Sequence, residues 1–453
     1  NVKRKTKLSN DKNQLQEIKE IGSRTENAIT AYFESKGVDN LVKITRNDLE
    51  ELDNRDPLNQ YRSEFNIPED ILYFDGNSLG ALPSATVHRV NEVILNEWGS
   101  NLINSWNSSG WYTLSETIGN KIAKLIGADD GEVVCVDGTG LNINKVHAVA
   151  LKMRADRKVI VMEGSTFPTD VYITQGLIDQ LEQNHKIRFV EKDEILDAIT
   201  EDVALVSLTH VHYKTGHLLD MKTITQKAHE AGALVVWDLS HSAGVLPIEL
   251  NQCNVDFAVG CTYKFLNGGP GAPGYLFVGK RHQGKQVQPL TGWWSHEQPF
   301  AFEQNYRPKN DIGQFLSGTQ PIIALAAAEV GIDMVLRADI ALIRGKSIEL
   351  GGIFIRLIQE HLIDYDLDIV TPRNGADRGS QISLSSPNGF AIIQALKEVG
   401  VIGDFRSPDN MRFGFAPLYT RYTDLWDAVK KLQVIMENDT WRAERFNNPI
   451  DVT

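Results

Sequence analysis

The stretch VDFAVGCTYKFLNGGPGAPGYLFVG, residues 255–279, decides the fold. Two apolar runs, 255–263 and 274–279, flank a loop of glycine and proline, and such runs predict strands buried on both faces. Further runs of this kind alternate with helical patterns along the chain; they occupy residues 132–137, 158–164, 203–211 and 233–238. This alternation is typical of βαβ units, so we expect an α/β fold built on a mostly parallel sheet.

The composition narrows the class of protein. The chain has 453 residues, 42% of them apolar and 23% charged, and its formal net charge is −13. This excess of acidic residues disfavours nucleic acid and anionic membrane surfaces as partners. Three cysteines without a CxxC pair argue against disulfides and structural zinc and favour a reducing cytoplasm; they are Cys135, Cys253 and Cys261. No apolar run predicts a transmembrane helix, and the basic N-terminus lacks the apolar segment of a secretory signal.

Periodicity divides the chain into four segments. We predict a partly helical N-terminal extension over 1–44, with a helix from Gln14 to about Lys36, and a segment 45–84 that packs on a small domain. Thr45 and Asp48 form a capping box pattern at the start of this segment. A large domain is expected over 85–330 and a smaller α+β domain over 331–453. The predicted helices in these two domains span 85–98, 114–126, 141–153, 340–362, 389–399 and 422–437.

Lys264 follows directly on the apolar run 255–263. A lysine in a partly apolar setting at the carboxyl end of a strand can become a nucleophile that forms a Schiff base. The alternative is a lysine whose stem is covered while its ammonium reaches water, and that is the commoner case for a single lysine. In parallel sheets, however, ligands bind beyond the carboxyl ends of the strands, where Lys264 is expected.

Asp238 ends the neighbouring apolar run, and His241 follows in WDLSHSAG. An aspartate here can pair with the protonated ring nitrogen of a cofactor, or it can cap the turn that follows. Together, Asp238 and Lys264 are a more specific signal for a cofactor site than either residue alone. The segment DGTGLN, 137–142, predicts a helix N-terminus that can hold a phosphate. It matches neither the dinucleotide fingerprint nor a P-loop, so a plain turn between strand and helix is the alternative.

Other candidates carry weaker signals. His210, His212 and His217 match no zinc spacing, so no metal is expected. Arg412 lies among apolar residues and could clamp a carboxylate or form a buried ion pair. Several tryptophans could stack on an aromatic substrate or pack in the core; they are Trp98, Trp106, Trp111, Trp293 and Trp294.

Taken together, these segments resemble the kynureninase family of pyridoxal-phosphate enzymes with fold type I. The match runs from about Thr45 to about Met436 and looks closer to the bacterial members than to the animal ones. Its motifs are YFDGNSLGALP (73–83), NSWNSSGW (104–111), FPTD (167–170), DLSHSAG (238–244), TYKFLNGGPGAPGYLFV (262–278), GTQPI (318–322) and RFGFAPLY (412–419). The resemblance implies a large domain with a mostly parallel seven-stranded sheet flanked by helices, a smaller C-terminal domain and a cytoplasmic homodimer.

The resemblance also implies roles for residues. Lys264 would bind pyridoxal 5′-phosphate covalently and move the substrate's Cα proton, and Asp238 would pair with the ring nitrogen. Tyr263 would contact the cofactor and take part in proton transfer. The other implied cofactor contacts are Thr139, Gly140, Phe167, Asp170, Thr209 and His241, with Trp293 and Thr319 supplied across the dimer interface. Arg412, Ser78 and Trp106 would bind the substrate, L-kynurenine or also its 3-hydroxy form, which is hydrolysed at the Cβ–Cγ bond to anthranilate and L-alanine.

This chain departs from the family pattern at four positions. Gly138 and Gly140 stand where hydroxyl residues are expected, Thr166 where asparagine is expected and Ser295 where glycine is expected. Two alternatives therefore stay open. One is a divergent pyridoxal-phosphate enzyme, desulfurase-like or transaminase-like, acting on another amino acid. The other is a homologue that has kept the fold and lost the cofactor.

Overall fold

The computed structural model describes residues 43–448, so the helix predicted from Gln14 to Lys36 lies outside the described residues. The helices in the described part, in chain order, are α1 (Arg46–Arg55), α2 (Ser84–Glu92), α3 (Ser105–Ser108), α4 (Leu114–Leu125), α5 (Thr139–Met153), α6 (Pro168–Leu181), α7 (Ile195–Ala198), α8 (Met221–Glu230), α9 (Ile322–Arg337), α10 (Ile340–His361), α11 (Gly389–Glu398) and α12 (Tyr422–Glu437). All six helices predicted in the two domains are present, although the first continues past α2 as one π-helical turn, Val93–Trp98.

The strands in the described part are β1 (Phe65–Asn66), β2 (Leu72–Tyr73), β3 (Leu82–Pro83), β4 (Val133–Cys135), β5 (Val159–Glu163), β6 (Lys186–Val190), β7 (Val203–Thr209), β8 (Leu234–Asp238), β9 (Phe257–Cys261), β10 (Gly274–Val278), β11 (Asp368–Ile369), β12 (Gln381–Ser385), β13 (Val401–Ile402), β14 (Asp404–Arg406) and β15 (Asn410–Gly414). The chain divides into two compact units. Within the described residues, one unit comprises 79–213 and 219–337, and the other comprises 43–78, 214–218 and 338–448.

The unit formed by 79–213 and 219–337 is built on a seven-stranded sheet with the order β4-β10-β9-β8-β7-β5-β6. β10 runs antiparallel to both of its neighbours, and the other pairs are parallel. The six apolar runs in the sequence form six of these strands. Sequence reasoning missed the seventh, β6, because its residues KIRFV mix charged and apolar side chains and four of the five keep some exposure. A strand at the sheet edge needs no continuous apolar run, so this pattern fails there.

The unit formed by 43–78, 214–218 and 338–448 contains a four-stranded antiparallel sheet, β11-β12-β15-β14, and a parallel pair, β13-β2. Its core combines residues from both ends of the described chain, among them Leu49, Phe74, Leu350, Leu384 and Leu425. Helix α1 begins with the predicted capping box, in which the Thr45 hydroxyl accepts from the backbone N–H of Asp48. In residues 43–448, no helix has both the length and the apolar character needed to cross a membrane.

Candidate active site

Lys264 lies just beyond the carboxyl end of β9, beside His241. Its Nζ is 2.9 Å from His241 Nε2, and His241 is buried at 4% exposure. The two residues come from the ends of adjacent parallel strands, β8 and β9, whose carboxyl ends share one edge of the sheet. The structure therefore brings together the lysine and histidine that the sequence singled out.

Asp238 and Asp170 supply two buried carboxyl groups near Lys264. Asp238 Oδ1 accepts from the backbone N–H of Ser240 at 2.8 Å, the local contact expected of a turn-capping aspartate. Burial raises the pKa of Asp238, and burial together with the charge of Asp238 raises that of Asp170, while Lys264 and a hydrogen bond with Thr209 act in the opposite direction. One ammonium thus faces two carboxyl groups that resist ionisation, so a further cationic N–H would stabilise their charged forms.

Thr209, at the end of β7, extends this network to Thr166. The two hydroxyl oxygens lie 2.9 Å apart, and both side chains are buried. Thr166 is one of the four departures from the family pattern, and the structure shows that its hydroxyl forms a hydrogen bond with Thr209. Ser295, another departure, is also buried, and its Oγ lies 2.9 Å from both Gly292 O and Tyr306 Oη.

The segment 138–140 opens helix α5 in the predicted way. Gly138 is the N-cap residue, with extended backbone and no side chain to occupy the first-turn N–H groups. A Cβ added at Gly138 would meet nothing within 4 Å, whereas one at Gly140 would lie 3.3 Å from Thr169 Cγ2. The amides at the start of a helix lack intrahelical partners, so they can bind an anion. The structure therefore retains amide donors at this segment where hydroxyls were expected.

Phe167 presents an uncovered ring one residue before helix α6. The side chain is 42% exposed, and its ring contacts Tyr213 edge to face at 5.2 Å between centroids. Exposure of a large aromatic ring is costly in water, so a flat apolar ligand would stabilise it.

Gly80 packs against the backbone of Lys264, and sequence reasoning did not single it out. Its N–H donates to Tyr263 O at 2.8 Å, and a Cβ at Gly80 would lie only 2.4 Å from Lys264 O. Only glycine permits this approach to the backbone of the lysine. The signal was available in the motif NSLG, where glycine follows a short strand. The neighbouring Tyr263 phenol has its pKa raised by burial, so it holds its proton.

Four of the five aromatic candidates form a cluster. Trp106 packs against Trp294 at 5.3 Å and Trp111 at 5.7 Å, and Trp293 contacts Trp294 edge to face at 4.7 Å. Trp293 is 42% exposed, and Thr319 is also exposed. For Trp106 the contacts are those of the core-packing alternative, and within residues 43–448 none of these ring contacts involves Lys264.

Arg412, in the other unit, forms the buried ion pair that was one of its two interpretations. Its Nε donates to Asp404 Oδ1 at 2.7 Å, and its Nη2 also binds Asp404 Oδ2 and donates to Ser78 Oγ at 2.9 Å. Burial alone would raise the pKa of Asp404, but hydrogen bonding and charge from Arg412 hold it below its ordinary value. The sequence reasoning missed Asp404, whose partnership follows from the cross-strand register Asp404↔Arg412 between β14 and β15.

His212 and His217, two of the three histidines in this part of the sequence, have hydrogen-bond partners. His212 Nε2 lies 2.8 Å from Ser165 O, and His217 Nδ1 lies 2.8 Å from Thr215 Oγ1. In the part of the chain that the structure describes, no group of three or more His, Cys, Asp or Glu side chains is placed to hold a metal ion.

These residues fit pyridoxal phosphate. The site combines a lysine, two buried carboxyl groups with raised pKa values, an exposed ring and a helix N-terminus for an anion. A mostly parallel sheet with this site at the carboxyl ends of its strands defines a pyridoxal-phosphate enzyme of fold type I.

The comparisons with known proteins then give the family. A family model described as aminotransferase class-V matches residues 72–362, and one described as kynureninase C-terminal domain matches residues 343–432. Kynureninase from Pseudomonas fluorescens is 49% identical over 414 residues, covering 90% of this chain and 100% of that protein. Kynureninase from Burkholderia pseudomallei (strain 1106a) is 46% identical over the same shares. The chain belongs to the kynureninase family, which confirms the resemblance seen in the sequence.

Solved structures confirm the fold class. The cysteine desulfurase from Thermococcus onnurineus NA1 matches with a TM-score of 0.72 at 20% identity, covering 84% of this chain and 98% of that one. The cysteine desulfurase CsdA from Escherichia coli matches with a TM-score of 0.71 at 18% identity and the same coverage. At these identities the likeness shows the fold alone, so it does not favour the desulfurase-like alternative.

Proposed function

We propose that this chain catalyses the hydrolytic Cβ–Cγ cleavage of L-kynurenine to anthranilate and L-alanine with pyridoxal phosphate. The observation that carries the proposal is the 49% identity to a kynureninase whose full length this chain covers. The arrangement of Lys264, His241 and Asp238 at one sheet edge supports it, because those residue types suit this chemistry.

Lys264 is proposed as the covalent partner of the cofactor and as the base that moves the proton at the substrate Cα. When bound, pyridoxal phosphate supplies an electron sink for the carbanion formed at that carbon. His241, 2.9 Å from Lys264 Nζ, orients the ammonium group. Asp238 would hold the ring nitrogen in its protonated form, and Asp170 would reinforce the negative charge there.

The remaining cofactor contacts follow the geometry of the site. Phe167 is proposed to stack on the pyridine ring with its exposed face. Thr139 and Gly140 would hold the phosphate with the amides of the first turn of α5, while Thr209 holds Asp170 in place. Tyr263, whose burial keeps the phenol protonated, would donate a hydrogen bond or a proton.

For the substrate we propose Arg412 and Ser78 as the carboxylate-binding pair and Trp106 as an aromatic contact. Asp404 holds the Arg412 guanidinium in two hydrogen bonds, which fixes the orientation of a side chain that is only 2% exposed. A guanidinium fixed in this way loses little freedom when it binds a carboxylate.

We further propose that the enzyme is a homodimer. Exposed apolar side chains support this, because a monomer rarely exposes so many large ones close together. An apolar groove includes Val93, Trp98, Pro321, Ile322 and Ile323. Leu95, Trp98, Leu102 and Ile103 near it are 57–73% exposed. A second copy on this surface would cover these four side chains. In such a dimer, Trp293 and Thr319 would be exposed on one subunit because they contribute to the site of the other.

Burial and free thiols bear on the domain roles and the compartment. We propose that 85–330 binds the cofactor and that 45–84 packs on the small domain 331–453. The core shared by Leu49, Phe74 and Leu350 supports the second point. A cytoplasmic location is supported by Cys135, Cys253 and Cys261, which are all free thiols.

The direct test is the fluorescence of anthranilate when the cofactor-loaded protein is mixed with L-kynurenine. Wild type should produce anthranilate, and Lys264→Ala should lose at least about a thousandfold in kcat because it lacks the covalent group. Lys186→Ala, an exposed lysine on edge strand β6, is the matched control and should retain activity.

Two other outcomes would contradict the proposal. A shift in the cofactor spectrum on adding kynurenine, without anthranilate, would mean that the substrate binds and a different reaction follows. No bound cofactor in wild type would instead favour the homologue that has lost it.

A further inference from the structure

Lys145, on helix α5, is a fully buried lysine outside the predicted site. Its side chain is 0% exposed, and its Nζ donates to Asp137 Oδ2 at 2.5 Å and to Phe315 O at 2.5 Å. Both partners lie in the unit built on the seven-stranded sheet. Lysine is almost never fully buried without a paired charge, because removing an ammonium group from water carries a large desolvation penalty.

Packing alone does not account for this lysine. Its neighbours on α5 include Ile143, Val146 and Val149, which belong to the apolar core. Leucine or methionine at 145 would extend that core at no desolvation cost. The charge is therefore explained by what it contacts, which is Asp137.

Asp137 occupies a position where a free carboxylate would harm the proposed cofactor site. It follows β4, has a left-handed φ of 48°, and directly precedes Gly138, the N-cap of α5. Its side chain is 27% exposed. An anion bound at the first-turn amides of α5 would meet this carboxylate as a like charge, unless a cation neutralises it.

The second contact reaches the segment that leads to Thr319. Phe315 closes the short 3-10 helix Ile312–Phe315, which Asp311 caps by accepting from Gly313 N–H at 2.9 Å. The ammonium of Lys145 thus joins Asp137, which lies two residues before Thr139, to Phe315, which lies four residues before Thr319.

We propose that Lys145 is a positioning residue for the cofactor phosphate: its ammonium neutralises and fixes the Asp137 carboxylate so that the N-terminus of α5 can accept a phosphate dianion. This rests on the proposed use of pyridoxal phosphate but not on the kynurenine reaction. Lys145 acts through Asp137, so it is not a catalytic residue.

The test is a double-mutant cycle on the apo protein, with the cofactor dissociation constant read from the visible absorbance of the bound cofactor. Lys145→Met should weaken binding about tenfold or more, because the unpaired carboxylate repels the phosphate. Asp137→Asn should bind at least as tightly as wild type, since asparagine also accepts the left-handed backbone. The double variant should recover most of the affinity lost in Lys145→Met.

A second readout avoids the cofactor. Inorganic phosphate should raise the Tm of the apo wild type and of Asp137→Asn more than that of Lys145→Met, and the difference should shrink in high salt. If Lys145→Met does not fold, Asp137→Asn alone tests the proposal. Weaker binding of cofactor and phosphate by Asp137→Asn than by wild type would overturn it.

Two results in the cycle would also overturn it. Equal affinity in the double variant and Lys145→Met would show that the lysine acts by filling space. Unchanged affinity in a folded Lys145→Met would show that the carboxylate needs no neutralisation. Both results are read from affinities, so they stand apart from any failure to cleave kynurenine.

Discussion

Arg412 and Lys264 each lie close to buried carboxyl groups, yet the charges of the two clusters are compensated differently. Arg412 binds Asp404 through two hydrogen bonds, which keeps the pKa of Asp404 below its ordinary value. Lys264 exerts only a charge on Asp238 and Asp170, and burial raises the pKa of both acids. The Asp404 carboxylate is compensated without a ligand, whereas a cationic ligand would compensate the Asp238 and Asp170 carboxyl groups.

This difference separates a carboxyl group that the protein itself pairs from two carboxyl groups whose pKa values stay raised. Direct hydrogen bonds to Arg412 offset the burial of the Asp404 carboxylate. For Asp238 and Asp170, the proposed cofactor would supply that offset. Substitution of Asp404 should therefore change mainly the stability of the protein. Substitution of Asp238 should change mainly its cofactor-dependent activity.

The largest effect on stability is expected for Asp404→Asn. Removing one partner of a buried pair leaves Arg412 uncompensated, which should lower the free energy of unfolding by about 3–5 kcal/mol. Denaturant titration measures this change. Glu398→Gln, which breaks the exposed pair with Arg445, is the control and should leave stability nearly unchanged. Equal effects of the two substitutions would contradict the comparison.

Asp238→Asn should instead reduce kcat, by about 10²–10³-fold, because the ring nitrogen loses its charged partner. The apo protein should be at least as stable as wild type, since a buried carboxyl group with a raised pKa is replaced by a neutral amide. Steady-state kinetics and thermal unfolding test both points. Asp202→Asn, at an exposed carboxylate, is the control. A loss of apo stability without a loss of kcat would refute this prediction.

A pH-dependent effect is expected from Asp75, which lies near Asp404 and Arg412. Burial and the charge of Asp404 raise its pKa from 3.8 to about 7, while Ser78, Arg412 and Arg406 lower it. The folded state therefore binds more protons than the unfolded state between these values, and this residue's contribution to stability falls as pH rises from about 4 to 7.

Asp75→Asn removes that dependence. Relative to wild type it should gain on the order of 1–3 kcal/mol more at pH 8 than at pH 4.5, because one pKa unit is worth about 1.4 kcal/mol. Unfolding measured at the two pH values tests this expectation. A difference that does not vary with pH would show that Asp75 ionises normally.

The smallest effects are expected at the glycines before and within α5. Gly138→Ser should fold normally and bind the cofactor slightly more tightly, because a Cβ there meets no atom within 4 Å and a hydroxyl adds a donor. Gly140→Ser should lower stability by about 1 kcal/mol, because Thr169 Cγ2 must move to admit the side chain. Cofactor titration and thermal unfolding distinguish the pair. Weaker binding in Gly138→Ser would show that the amides alone suit the phosphate.

Much of the fold could be predicted from the sequence. The buried strands are continuous apolar runs, so six of the seven sheet strands and the alternating helices follow directly. The strand Lys186–Val190 could not be found this way, because an edge strand keeps charged side chains. The residues of the site followed from their positions at strand ends, since the carboxyl ends of parallel strands meet.

The sequence by itself determined the candidates for the reacting groups and the edge of the sheet where Lys264, Asp238 and His241 meet. Only the tertiary structure decided which cations are already paired. Arg412 pairs with Asp404 because the strand register places the two residues opposite each other. Lys145 on α5 pairs with Asp137, which directly precedes the N-cap of the same helix. The reason is physical: pKa values and charge compensation depend on distances and burial, and these exist only once the chain has folded.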